Sequence, residues 1–146
     1  MKSIITNTDS YKFSHFLQYP SDTTYISSYI ESRGFAKEFP KTDGNMVFFG
    51  LQAWIKKNLT DPITPKQVDF AHALAQRHGE PFNSVGWETI LERHRGKLPI
   101  QIEAIPEGSV VPVGTPLVQV RNTDPDLPWL TSYIETSLLR GIWYPS

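Results

Sequence analysis

Residues 129–144 carry apolar side chains around most of a helical circumference. Leu130, Ile134, Leu138 and Ile142 line one face, while Tyr133, Ser137, Gly141 and Trp143 occupy the others. A helix apolar on most sides must be buried on several of them. Little chain remains after this segment to cover it, because the sequence stops at Ser146. The expectation is a piece of a larger protein, or an obligate partner in an oligomer.

The rest of the chain reads as many short elements, punctuated by 12 prolines. Residues 8–20 predict a helix, with Phe13, Phe16 and Leu17 at helical spacing, Thr8 or Asp9 as cap and Pro20 as stop. Tyr11, His15 and Tyr19 share a second face, one turn apart, and make it aromatic and hydrogen-bonding. Residues 24–33 alternate with period two and predict a strand, with Ile26, Ser28 and Ile30 on one side and Tyr25, Tyr29, Glu31 and Arg33 on the other. An exposed loop is expected from Gly34 to Asn45.

Three helices should follow. The first has a stripe of Phe48, Leu51, Ile55 and Leu59 with Trp54 beside it. The second starts at Thr64-Pro65-Lys66-Gln67, a capping box with proline in the first turn, and runs to Gly79. The third starts near Asn83 or Ser84, buries Trp87, Ile90 and Leu91, and ends at Gly96. Ile100 to Ala104, Val110 to Val113 and Leu117 to Arg121 then alternate as strands separated by Pro-Gly turns. The fold class expected is α+β: helices packed on a small, proline-rich antiparallel or mixed sheet built from residues 98–121 and the strand at 24–33.

Composition excludes several functions. Lysine plus arginine total 14 against 15 aspartate plus glutamate, so no basic excess marks a nucleic-acid binder. No apolar run is long enough to span a membrane, and the first residues do not read as a signal peptide. With no cysteine there are no disulfides, thiolate metal ligands or cysteine nucleophiles, which fits a cytoplasmic address. No phosphate-binding glycine motif, nucleophile elbow or zinc-protease motif is present, and His15, His72, His78 and His94 lack ligand spacing.

Two residues stand out as candidate ligand contacts. Tyr11, beside Lys12 and His15, offers a platform for stacking a flat ring, against the ordinary reading of an amphipathic core tyrosine. Arg33 offers a planar donor fork to a phosphate, against the ordinary reading of a surface ion pair with Glu31. Asp124 and Asp126 read as turn formers ahead of the last helix rather than as a catalytic pair.

Several stretches together resemble the nicotinamide phosphoribosyltransferases, a branch of the type II phosphoribosyltransferases. They are Thr8 to Lys12 with His15 and Gln18-Tyr19-Pro20, Tyr29 to Arg33, Phe49 to Gln52, Gly86-Trp87 with Ile90-Leu91-Glu92, and Leu98-Pro99-Ile100. Pro106-Glu107-Gly108, Asn122 to Pro125, Trp129-Leu130-Thr131 with Ile134-Glu135-Thr136, and Trp143-Tyr144-Pro145 follow in the same order.

The resemblance covers nearly all of this sequence but only the N-terminal part of the family's chain, so residues 1–146 form one N-terminal domain with the family's α/β barrel absent. It implies an enzyme of NAD salvage, a pentosyltransferase that joins nicotinamide to phosphoribosyl pyrophosphate and releases nicotinamide mononucleotide and pyrophosphate. It further implies a cytoplasmic homodimer, and magnesium accompanying phosphoribosyl pyrophosphate, with no cofactor or metal held by this chain itself. Tyr11 falls on the family's ring-stacking tyrosine, which reaches the partner subunit's site, and Arg33 on its phosphate-reaching arginine. No catalytic residue falls within residues 1–146, so the chain alone is expected to be inactive. A homologue acting on nicotinate, and a non-catalytic adaptor or regulator pairing with a full-length relative, are the competing readings.

Overall fold

Thr64 builds the helix start its neighbours predict. Its hydroxyl accepts from the Gln67 amide, the Gln67 side chain caps the Thr64 amide in return, and Pro65 takes the first helical position. This helix is α2, Pro65–His78, closed by left-handed Gly79. It lies in a computed structural model that describes residues 3–34, 44–143 and 145–146. Before it comes α1, Leu51–Asn58, and after it α3, Ser84–His94, started by the Asn83 side chain on the Gly86 amide. Arg95 at φ 54° and Gly96 at φ 79° end α3 together. Trp54 is fully in the core rather than beside it, while Ile55 and Leu59 are only half-buried.

The predicted first helix is instead two 3-10 turns, Ser10–Phe13 and His15–Gln18. Asp9 does not cap them: its carboxylate accepts from Thr136 Oγ1 at 2.8 Å and from Arg140 at 3.3 Å. A segment fastened from outside at Asp9 has little need of regular helical bonds.

Strand β1, Ser27–Glu31, occupies the centre of the predicted 24–33 segment. It pairs antiparallel with β5, Pro116–Asn122, which pairs antiparallel with β3, Ile100–Ala104, giving the order β1-β5-β3. Ile30 stands opposite Val118 and Ser28 opposite Val120, with Ala104 and Ile102 completing the same rows. Val118 and Val120 are buried there, while Tyr29, Gln119 and Glu103 share the solvated face. This alternation puts one side of the sheet on the core.

The strand between departs from expectation. β4, Val110–Pro112, does not join that sheet but pairs with β2, Asn45–Val47, as a separate ribbon. Pro112 has no N–H to donate, and Gly114 turns the chain at φ 86° before Pro116 opens β5 opposite the Glu31 bulge. Residues 35–43 of the expected loop lie outside the described residues; Asn45, at its end, is a strand residue.

The apolar C-terminal segment is two helices, α4, Leu130–Tyr133, and α5, Glu135–Trp143. Leu130, Ile134, Leu138 and Ile142 are all buried, as are Tyr133 and Ser137. The chain itself supplies most of the cover. Gly141 lies so close to α1 that a Cβ there would meet Trp54 Cδ1 at 2.6 Å, and the Trp54 indole donates to Ser137 Oγ at 2.9 Å. Tyr133 stacks edge-on against Trp87, Trp129 and Phe13, and its hydroxyl donates to the Ile5 carbonyl at 2.7 Å. Only Leu139 and Trp143 of α5 present large apolar side chains to water, Trp143 being 80% exposed. Tyr144 is outside the described residues.

Candidate functional site

Tyr11 sits in the first 3-10 turn with half of its surface exposed. Its carbonyl accepts from both the amide and the hydroxyl of Ser14, which fixes the backbone. The His15 ring packs against the Tyr11 ring at a centroid distance of 5.0 Å and an interplanar angle of 59°. The ring is therefore held along one edge and open elsewhere, a geometry suited to stacking.

What fastens this turn lies more than a hundred residues away. Lys12 is 3% exposed, and its ammonium donates to Glu135 Oε2 at 2.6 Å, at the start of α5. The same ammonium is 5.4 Å from the Tyr11 ring centroid, within cation–π reach. Thr8 Oγ1 donates to the Tyr133 carbonyl, and Asp9 is tied to Thr136 and Arg140. Burial holds the His15 imidazole below its ordinary pKa, the Lys12 charge adds to that, and Glu135 opposes it. His15 is thus neutral near pH 7.

Arg33 is exposed beyond the end of β1 and makes no hydrogen bond or ion pair among the described residues. The surface ion pair with Glu31, the ordinary reading of this residue, is absent among them. The structure does not bring Tyr11 and Arg33 into contact; α4 packs against both the Tyr11 turn and β1 and so relates the two. A cleft of about 510 Å³ lies elsewhere, between residues 3–7, α1 and the start of α2, and neither Tyr11 nor Arg33 lines it. No group of three or more His, Asp or Glu residues among the described residues is placed to hold a metal ion.

Asp124 forms the turn expected of it, its Oδ1 accepting from the Asp126 amide at 2.9 Å. It also has a role its sequence context conceals. Its 5%-exposed carboxylate accepts from His94 Nε2 at 2.6 Å and Arg93 at 2.9 Å, locking the end of α3 to the loop before α4. Burial alone would raise its pKa, but the Asp126 amide, His94 and Arg93 outweigh it and hold the carboxyl below its usual range. Asn122 completes the junction, donating to Thr24 and Asp124 carbonyls and accepting from the Ile26 amide.

This architecture is that of the N-terminal part of a type II phosphoribosyltransferase. The crystal structure of human nicotinic acid phosphoribosyltransferase superposes with a TM-score of 0.64 at 22% identity, covering 95% of this chain and 26% of that one. At the sequence level the family described as nicotinamide phosphoribosyltransferase, N-terminal domain, matches residues 3–102. The nicotinamide phosphoribosyltransferase of Xanthomonas campestris pv. campestris is 46% identical over 99% of this chain and 30% of its own length. That of Acinetobacter baylyi is 33% identical over 94% of this chain and 29% of its length.

The chain belongs to the nicotinamide phosphoribosyltransferase family. It spans about 30% of the length of these curated relatives. No helix of the described residues is long and apolar enough to cross a membrane.

Proposed function

We propose that this chain is the ring-holding N-terminal domain of an enzyme that makes nicotinamide mononucleotide and pyrophosphate from nicotinamide and phosphoribosyl pyrophosphate, for NAD salvage in the cytoplasm. The observation that carries this reading is the exposed Tyr11 ring, fixed by Ser14 and His15 on a turn anchored to α5. Family membership supports it.

In this reading Tyr11 covers one face of the pyridine ring and Arg33 offers its donor fork to the phosphates of the second substrate, which arrives with magnesium. Transfer to an anomeric carbon passes through an oxocarbenium-like state, so orientation of the ring and charge stabilisation of the departing pyrophosphate govern the rate. Neither residue moves a proton. Tyr11 orients the nucleophilic ring, and Arg33 offsets negative charge. The remaining contacts come from an α/β barrel, in a homodimer where Tyr11 reaches the partner's site, or from a separate barrel-carrying chain.

The test is substitution at Tyr11 in a complete enzyme carrying this segment. Tyr11→Ala removes a stacking face and should cost about 0.5–1.5 kcal/mol, read as a severalfold rise in KM for nicotinamide with little change for phosphoribosyl pyrophosphate. Tyr11→Phe should be nearly silent. Equal damage from both substitutions would show that the hydroxyl matters and refute the stacking role. Arg33→Ala should act on the other substrate, raising the requirement for phosphoribosyl pyrophosphate.

A further inference from the structure

We propose that Glu135 is a positioning residue for Tyr11: through its ion pair with buried Lys12, the start of α5 sets where the Tyr11 ring stands. The inference rests on the ring-holding reading above for its consequence in catalysis, but its geometry stands independently.

Tyr11 is bracketed by two residues that leave its own turn to find partners on one short stretch of α5. On one side Asp9 accepts from Thr136 Oγ1 and Arg140; on the other Lys12 donates to Glu135. The two connections differ in kind. Asp9 and Arg140 are 38% and 59% exposed, so water competes for their contact. Glu135 is 52% exposed, but Lys12 is only 3% exposed and needs its partner, because an ammonium out of water is costly unless paired.

Glu135 meets that need from the first residue of α5, where the helix dipole favours a carboxylate. Lys12 in turn is the immediate neighbour of Tyr11 and places its ammonium 5.4 Å from that ring. Shortening or neutralising Glu135 therefore moves or frees Lys12, and Tyr11 with it. Phe13, one residue further on, is packed in the core against Tyr133 and Phe82, so the displacement falls on Tyr11 and His15 rather than on the core.

The first readout is NMR on the chain as it stands. In the native protein, contacts between the Tyr11 and His15 rings should be seen across the 5.0 Å centroid separation. Glu135→Gln should abolish or scatter these contacts while the indole signals of Trp87 and Trp129 keep their native positions. Glu135→Asp retains the charge and withdraws it by one methylene, so it guards against misfolding of the first variant. It should weaken the same contacts with the core unchanged. Native Tyr11–His15 contacts in a folded Glu135→Asp variant would overturn the proposal, whatever Glu135→Gln does.

The second readout is a double-mutant cycle in a complete enzyme carrying this segment. Glu135→Asp should raise KM for nicotinamide about three- to tenfold, and should add nothing in a Tyr11→Ala background. An equal effect in both backgrounds would mean that Glu135 acts elsewhere and would overturn the proposal. If Tyr11→Ala itself leaves nicotinamide handling unchanged, the ring-holding function fails, and the NMR contacts still decide whether Glu135 positions Tyr11.

Discussion

Asp124 carries a pH signature. Its carboxyl is held below its usual range by three donors that exist only in the folded chain: the Asp126 amide, His94 and Arg93. The unfolded state therefore binds the proton more readily, and the stability contributed by Asp124 is fully present above about pH 3.9 and is lost as pH falls below that. Melting temperatures of the native chain and of Asp124→Asn should differ most near neutrality and converge as pH is taken down through the carboxylate range. A constant difference across that range would show that the ion cluster contributes nothing.

His15 has the same sign but acts in a higher pH window. Its folded pKa is lowered by burial first and Lys12 second, so protonating it opposes the fold, and the loss grows as pH falls below about 6.5. NMR titration should place the His15 midpoint below the ordinary histidine value. Neither behaviour was legible in the sequence. Tyr11 was marked by its neighbours Lys12 and His15, but Glu135 lies 123 residues from Lys12, and His94 lies 30 residues from Asp124. Pairings that long leave no periodic trace in the chain.

The elements show where local rules suffice. α2 follows its sequence almost to the residue because its capping box, proline and closing glycine are all within the segment. The strand register was less accessible. The alternation of residues 110–113 identified a strand, yet not that β4 would leave the sheet to pair with β2, a decision set by Pro112 and the turn at Gly114. The 8–20 segment failed as a helix because Asp9 bonds to α5 instead of capping its own turn.

α5 depends on a close approach to α1. Gly141 reads in sequence as a weak point of the helix, but the structure uses its missing side chain to seat α5 against Trp54. Gly141→Ala would gain helix propensity and still destabilise the fold by about 1–3 kcal/mol, because its Cβ must displace a buried indole. Urea denaturation of the two chains decides it; an unchanged or higher midpoint would mean that Trp54 has room to move.

At the scale of the whole molecule, the demand made by the apolar C-terminal segment is met mainly from within. Residues 3–13, α1 and β5 bury what the periodicity alone left uncovered, and Trp143 is the most exposed of the large apolar side chains of α5. The expected α+β fold is present, but the single proline-rich sheet expected of it is divided into a three-stranded sheet and a separate ribbon; the family match over residues 3–102 agrees with the fold. The two candidate contacts stand apart in this fold. Tyr11 stands exposed on its turn and Arg33 extends beyond β1, but among the described residues neither lines the cleft beside residues 3–7.

The proposed ring contact at Tyr11 and phosphate contact at Arg33 would orient substrates, while stabilising the reacting carbon and the departing pyrophosphate requires groups arrayed around them. The purified chain is incubated with nicotinamide, phosphoribosyl pyrophosphate and magnesium, alone and together with a chain that supplies the barrel, and nicotinamide mononucleotide is followed by mass spectrometry. No turnover is expected from the chain alone, and turnover is expected on mixing, reduced severalfold when the added N-terminal chain carries Tyr11→Ala. Robust turnover from the chain alone, abolished by a point substitution within it, would show that residues 1–146 hold a catalytic centre of their own.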